Sequence, residues 1–156
     1  MDNKKTLEAL QRAMTLCSRS EKCRRDILDR LDGWGISKPD DKEYIIGELI
    51  RHKFIDEMRY ARAFTMEKHR FNHWGQVKIG MMLRSKGIEP GAIELAFSEI
   101  DRDGYRKVLF DELTRKRANV KASNQYELKG KLMRYALSKG YETDLIYNVI
   151  AEITGS

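Results

Sequence analysis

The stretch KIGMMLRSKGIEPGAIELAFSEI, residues 78–100, decides how the chain is organised, because it recurs as KLMRYALSKGYETDLIYNVIAEI at residues 131–153. The two copies align without a gap, and eight of the 23 positions are identical. Self-similarity at one spacing is typical of proteins built from small structural repeats. A looser third copy comes earlier, with three matching positions: Ile27, Leu31 and Gly35 against Ile79, Leu83 and Gly87.

Each repeat is predicted to hold three amphipathic helices. Apolar residues recur at spacings of three and four, which indicates helices with one buried face. Gly87 and Gly140 follow two such runs and suit the left-handed end of a helix, whereas Asp103 is expected to begin another helix. Together these signals predict nine helices in an all-α fold. We expect three tandem three-helix repeats, residues 1–54, 55–101 and 102–156, packed into an elongated, curved array.

The same periodicity predicts which side chains face the core. The expected core residues include Leu7, Tyr44, Ile50, Ala61, Phe64, Phe71, Val77, Ile79, Met82, Leu83, Ile93 and Ile146. No run of about 18 apolar residues is present, and the start MDNKKTLEAL is too polar for a signal peptide, so a cytoplasmic protein without a membrane segment is expected. Cys17 and Cys23 are expected to be free thiols.

Positive charge is concentrated in two blocks. The net charge is +6, yet residues 59–86 alone carry +6 and residues 115–139 carry +7, which leaves −7 for the rest of the chain. Such segregation is typical of a protein that meets an anionic surface, although solvated helix faces are an alternative. The candidate contact residues are these cations and one tryptophan: Arg59, Arg62, Lys68, Arg70, Trp74, Lys78, Arg84, Lys86, Arg115, Lys116, Arg117, Lys121, Lys129, Lys131, Arg134 and Lys139.

Four cations of the first block recur in the second at the 53-residue spacing. The pairs are Arg62 with Arg115, Lys68 with Lys121, Lys78 with Lys131, and Lys86 with Lys139. We name these eight residues the ladder. A solvated surface has no packing reason to repeat its charges, so the repetition favours a binding face.

Other functional interpretations find less support. His69 and His73 have the spacing of two metal ligands on a helix, but no third ligand is evident. Asp40 and Asp41 follow Pro39 in a predicted first helical turn, where carboxylates are favoured anyway. Trp74 could stack on nucleic-acid bases or pack at a junction between helices. We therefore expect no enzymatic activity, metal or cofactor.

Residues 54–88, FIDEMRYARAFTMEKHRFNHWGQVKIGMMLRSKGI, closely resemble the middle repeat of the RecX family. The resemblance includes Trp74-Gly75 and Lys86-Gly87-Ile88, and Ser138-Lys139-Gly140-Tyr141 resembles the family's closing repeat. The first repeat resembles the opening one, but has a Gly33-Trp34-Gly35 turn in place of a basic residue and glycine.

This resemblance implies a negative regulator of the RecA recombinase in DNA recombination and repair. Such a protein has no enzymatic activity, docks on or caps the RecA–DNA filament, and inhibits its ATPase and strand exchange. The implied partners are the RecA filament and single- or double-stranded DNA, and we expect a monomer. The alternative is a basic helical DNA-binding module whose regulatory role is independent of RecA.

Overall fold

The computed structural model describes residues 3–155, and this part of the chain is all-α, as predicted, with no strand. A short 3-10 helix, Asp32–Trp34, follows the second helix. None of the described helices is long and apolar enough to cross a membrane. The α-helices are α1 (Asn3–Arg19), α2 (Arg24–Leu31), α3 (Pro39–Arg51), α4 (Glu57–Asn72), α5 (Gln76–Ser85), α6 (Pro90–Ser98), α7 (Arg102–Asn119), α8 (Gln125–Lys139) and α9 (Thr143–Thr154).

The second helix of each repeat leads to a left-handed glycine. Gly35, Gly87 and Gly140 have φ values of 84°, 78° and 90°. After each glycine, the next residue donates its backbone N–H to a carbonyl five residues earlier, as Ile88 does to Leu83 at 3.1 Å. This is the hydrogen bond of a Schellman motif. The residues that follow the three glycines are all buried: Ile36, Ile88 and Tyr141. The same turn therefore reverses the chain direction in every repeat.

The described residues form two compact units. Unit 1 comprises the residues up to Ala63 together with Leu83–Glu94, and unit 2 comprises Phe64–Met82 together with the residues from Leu95 onward. The helices α1, α2 and α3 enclose the core of unit 1, which includes Ile27, Ile45 and Leu49. The helices α7, α8 and α9 enclose the core of unit 2, which includes Leu109, Leu132 and Ile146. Residues of the middle repeat contribute to both units.

Several predicted local features differ in the structure. Asp101, not Asp103, caps α7, because its carboxylate accepts the backbone N–H of Gly104 at 3.0 Å. Ala61, Ile79, Leu83, Ile93 and Ile146 are buried as predicted. Six predicted core residues are instead exposed: Leu7, Tyr44, Ile50, Phe71, Val77 and Met82. Helical periodicity identifies the apolar face of a helix but not how much of that face a neighbouring helix covers.

Candidate binding surface

In unit 2 the turn between α4 and α5 packs directly on the turn between α8 and α9. Gly75 donates its N–H to the carbonyl of Lys139 at 2.7 Å, and Val77 donates to the carbonyl of Gly140 at 2.9 Å. A Cβ atom on Gly75 would overlap the backbone of Gly140, and a Cβ atom on Gly140 would overlap Lys78. Both positions therefore require glycine, which gives a physical reason for the glycines of Trp74-Gly75 and Lys139-Gly140.

Side chains also hold these two turns together. Lys139 Nζ donates to the carbonyl of Asn72 at 2.7 Å, and the Tyr141 hydroxyl donates to the carbonyl of His73 at 2.9 Å. His73 itself has φ of 57°, a left-handed conformation that a residue with a Cβ rarely adopts. The neighbouring contacts must hold this conformation, because such backbone strain costs about 1–3 kcal/mol.

Trp74 brings two predicted contact residues together at this junction. The ammonium groups of Lys78 and Lys68 lie 4.4 Å and 5.2 Å from the centre of its ring. His69 donates from Nδ1 to the Trp74 carbonyl at 3.0 Å, so this histidine supports the turn. Trp74 is half-buried between α4 and α5 and holds two cations against one aromatic ring. We call Lys68, Trp74 and Lys78 the tryptophan cluster.

A second group of cations surrounds a groove of about 470 Å³ formed by α7, α8 and the segment between them. Lys121 and Arg134 are exposed there, whereas Lys116 and Lys131 are half-buried, and Lys131 pairs with Glu127 at 3.1 Å. Lys116 Nζ lies 4.9 Å from the centre of the Tyr135 ring. We call this the basic groove. Cations gathered around one concave surface create a positive potential that favours an anionic partner.

Buried Glu112 connects this region to the α4–α5 turn. Its carboxylate accepts a hydrogen bond from the Tyr135 hydroxyl at 2.8 Å, and it lies 3.6 Å from His73 Nε2 and 3.7 Å from Arg115. Burial and the hydrogen bond to Glu112 raise the pKa of Tyr135. The charge of Glu112 is thus compensated inside the fold, as a buried carboxylate requires.

In unit 1 two predicted contact residues are engaged within the fold. Arg59 pairs with Glu21 at 2.6 Å, and Lys86 pairs with Asp26 at 2.6 Å. Burial alone would raise the pKa of Asp26, but hydrogen bonds from Lys86 and from the Cys23 backbone lower it. Lys86 and Asp26 therefore stabilise unit 1 as an ion pair.

This arrangement changes the interpretation of the ladder. Lys86 and Lys139 occupy equivalent repeat positions, and each binds an oxygen inside its own unit. The premise that packing gives no reason to repeat a cation is therefore wrong for this pair. The first copy of the ladder is also divided, because Arg62 and Lys86 belong to unit 1 while Lys68 and Lys78 belong to unit 2.

The remaining predicted contact residues do not join either cluster. Arg117 donates to the carbonyl of Ile153 at 2.7 Å, and Arg115 pairs with Glu112. Arg70 and Arg84 are exposed and lie in unit 2 and unit 1, respectively. Lys129 lines a separate groove between α8 and α9. Among residues 3–155, no group of three or more histidine, cysteine or acidic side chains is placed to hold a metal ion.

Two residues beside the basic groove were not predicted from the sequence: Tyr135, which lines it, and Glu112, which binds the Tyr135 hydroxyl. Tyr135 directly follows Arg134 in the second basic block, so an aromatic residue within a run of cations was the available signal. Glu112 gave no comparable signal, because its hydrogen-bond partner Tyr135 is 23 residues away in the chain.

The fold defines an all-helical protein built from three-helix repeats. Models of the second and third three-helix domains of RecX match residues 56–96 and 109–150, which together make up more than half of the chain. The chain belongs to the RecX family.

Curated relatives and solved structures agree with this assignment. The chain is 28% identical over 146 residues to the regulatory protein RecX of Clostridium beijerinckii, covering 90% of this chain and 66% of the relative. It is 26% identical over 141 residues to that of Vibrio campbellii, covering 90% and 88%. The crystal structure of RecX from Lactobacillus salivarius has the same fold, with a TM-score of 0.81 at 20% identity over 98% of this chain and 99% of that one. The chain spans about two thirds of the length of its clostridial relatives.

Proposed function

We propose that this protein is a negative regulator of the RecA recombinase that docks on or caps the RecA–DNA filament and inhibits its ATPase and strand exchange. Its membership of a family whose curated relatives are named regulatory proteins supports a regulatory role. The proposal includes no catalytic activity. Two titratable groups with shifted pKa values, Asp26 and Tyr105, have partners within the fold, namely Lys86 and Glu142.

The basic groove is the observation that carries the proposal. Its cations come from α7, α8 and the segment between them, so the fold assembles them from separate parts of the second basic block. We propose that the groove meets acidic recombinase surface, DNA phosphate or both. The tryptophan cluster is the second proposed contact, because it presents two further lysines in the same unit.

We propose that the protein consists of three domains, each of which is one three-helix repeat. The boundaries 1–54, 55–101 and 102–156 are supported by the two family-model matches, which fall inside the second and third of these ranges. We further propose that the protein acts as a monomer in the cytoplasm.

RecA ATPase and strand exchange, measured with this chain well below one copy per recombinase, test the proposal. We expect inhibition, and we expect the double variant Lys121→Glu/Arg134→Glu to lose most of it, because both side chains are exposed in the basic groove. The matched control is Lys4→Glu/Lys38→Glu, which changes the net charge equally at exposed positions of unit 1. Equal inhibition by the wild type and the groove variant would refute a role for the groove, and no inhibition by any of them would refute the function.

The second candidate function is DNA binding independent of RecA, favoured by the lysines held against Trp74. This alternative requires duplex affinity in the absence of recombinase that falls steeply with salt, because cations that bind phosphates release counterions. Substitution of one phosphate-binding cation should reduce the slope of log affinity against log salt by about 0.9. A salt-dependent affinity of this kind, together with no effect on RecA, would favour the alternative.

A further inference from the structure

A groove of about 610 Å³ between α8 and α9 exposes apolar side chains within unit 2. The helix α8 contributes Tyr126 and Met133, and α9 contributes Tyr147 together with the buried core residue Ile150. Tyr126 is 89% exposed and Tyr147 is 64% exposed, although both carry large apolar rings. Single exposed apolar residues are common, but two tyrosines beside one concave apolar surface are characteristic of an interaction site.

Gly130 keeps this groove open. It lies in the middle of α8, where glycine is the least favourable residue after proline. A Cβ atom at this position would meet only the end of the Arg134 side chain, at an ordinary 3.6 Å. No packing inside the described chain therefore requires glycine here, in contrast to Gly75 and Gly140. Any larger residue would project into the groove, so the absence of a side chain leaves space for a partner.

The charges beside the groove select the kind of partner. Lys129 and Arg134 both line it, and neither takes part in an ion pair among residues 3–155. Glu127 is the acidic residue that lines the groove, and its carboxylate is bound by Lys131 at 3.1 Å and by the Ser123 hydroxyl at 3.0 Å. The hydrogen bond from Lys131 lowers the pKa of Glu127. The potential beside the apolar surface is therefore set by the two cations.

We propose that the α8–α9 groove binds a short acidic amphipathic helix of a partner protein. One bulky apolar side chain of that helix would lie over Gly130, next to the two tyrosines. The carboxylates of the same helix would pair with Lys129 and Arg134. Helices that dock in grooves use this combination of apolar anchors and complementary charge. A nucleic acid could stack its bases on the tyrosines, but its phosphate backbone would offer no apolar group to Met133 beside Gly130, so a helix with apolar anchors is favoured. Arg134 also lines the basic groove, so the two surfaces are continuous.

Fluorescence anisotropy with the full chain tests this site independently of RecA. The probe is a fluorescein-labelled helical peptide of about 15 residues, with leucine at spacings of three and four and glutamate elsewhere. The variant Gly130→Gln fills the groove with a good helix former, so its thermal midpoint should equal or exceed that of the wild type. Gly47→Gln is the matched control, because Gly47 is also inside a helix, α3, and a Cβ there meets nothing within 4 Å.

The proposal expects saturable peptide binding that Gly130→Gln weakens by about tenfold or more, as disruption of a central part of an interface does. Gly47→Gln should bind as the wild type does, and a peptide with lysine in place of glutamate should not bind. Absence of saturable binding, equal affinity of Gly130→Gln and the wild type, or equal binding of the lysine peptide would each overturn it. If the wild type is a dimer in sedimentation and Gly130→Gln is a monomer, the groove binds a second copy of the chain and the proposal fails. If Gly130→Gln instead loses the ability to bind an oligonucleotide, the groove binds nucleic acid and the proposal also fails.

Discussion

Substitution of Gly75 by alanine should lower the free energy of unfolding, because the backbone of the α4–α5 turn touches the backbone of the α8–α9 turn at this residue. The new Cβ atom would overlap the Gly140 carbonyl oxygen and would lie 2.6 Å from the Gly140 carbonyl carbon and 2.7 Å from Tyr141 Cα. These atoms belong to the backbone and cannot rotate away, so the two turns must separate by roughly 1 Å to reach ordinary van der Waals distances. Such a shift removes three of the hydrogen bonds between the turns.

The size of the effect follows from the hydrogen bonds that this shift breaks. Three of the hydrogen bonds that join the turns are too rigidly placed to survive this shift: Gly75 to Lys139, Val77 to Gly140 and the Tyr141 hydroxyl to His73. The flexible Lys139 side chain can follow the shift and keep its bond to Asn72. At about 1 kcal/mol each, the loss of the three rigidly placed hydrogen bonds lowers the free energy of unfolding by about 3 kcal/mol. For a protein of this size, the thermal midpoint should fall by about 6–12 °C.

Thermal and urea unfolding followed by circular dichroism measure this effect. The control is Gly91→Ala in α6, where a Cβ atom meets nothing within 4 Å, so a change within about 1 kcal/mol is expected. If Gly75→Ala unfolds at the same midpoint as the wild type, the close packing of the two turns does not contribute to stability and the reasoning fails.

Two further predictions concern pH and metal. The folded-state pKa of Asp26 lies below its usual value of 3.8, so its contribution to stability is present above that value and is lost as pH falls through the folded-state pKa. Asparagine does not titrate, so the urea midpoint of Asp26→Asn should fall less than that of the wild type between about pH 6 and about pH 3. Equal decreases in the two proteins would contradict the role of the Asp26–Lys86 ion pair. Chelator treatment should leave the helical content and thermal midpoint unchanged, whereas unfolding by chelator or a stoichiometric zinc signal would show that metal binding is linked to folding.

The limits of sequence reasoning are clearest at the cations. The repeat alignment correctly placed Lys86 and Lys139 at equivalent positions, but their partners are 60 and 67 residues away in the chain. A local pattern cannot identify such partners, so the two lysines looked like a surface feature. The convergence of Lys116, Lys121 and Arg134 on one groove likewise depends on how α7 packs against α8.

The all-helical class, the internal repeats and the left-handed glycines Gly87 and Gly140 could be predicted from the amino-acid sequence alone. These features depend on interactions within a few residues, namely the spacing of apolar side chains and the conformational freedom of glycine. Which apolar faces are covered, and which cations pair inside the fold, is evident only once the helices have packed. Packing also distinguishes Gly75, where the adjacent backbone forbids a side chain, from Gly130, where the fold leaves room for one. Burial and pairing depend on segments that meet in space only after the chain has folded, so a local sequence pattern does not encode them.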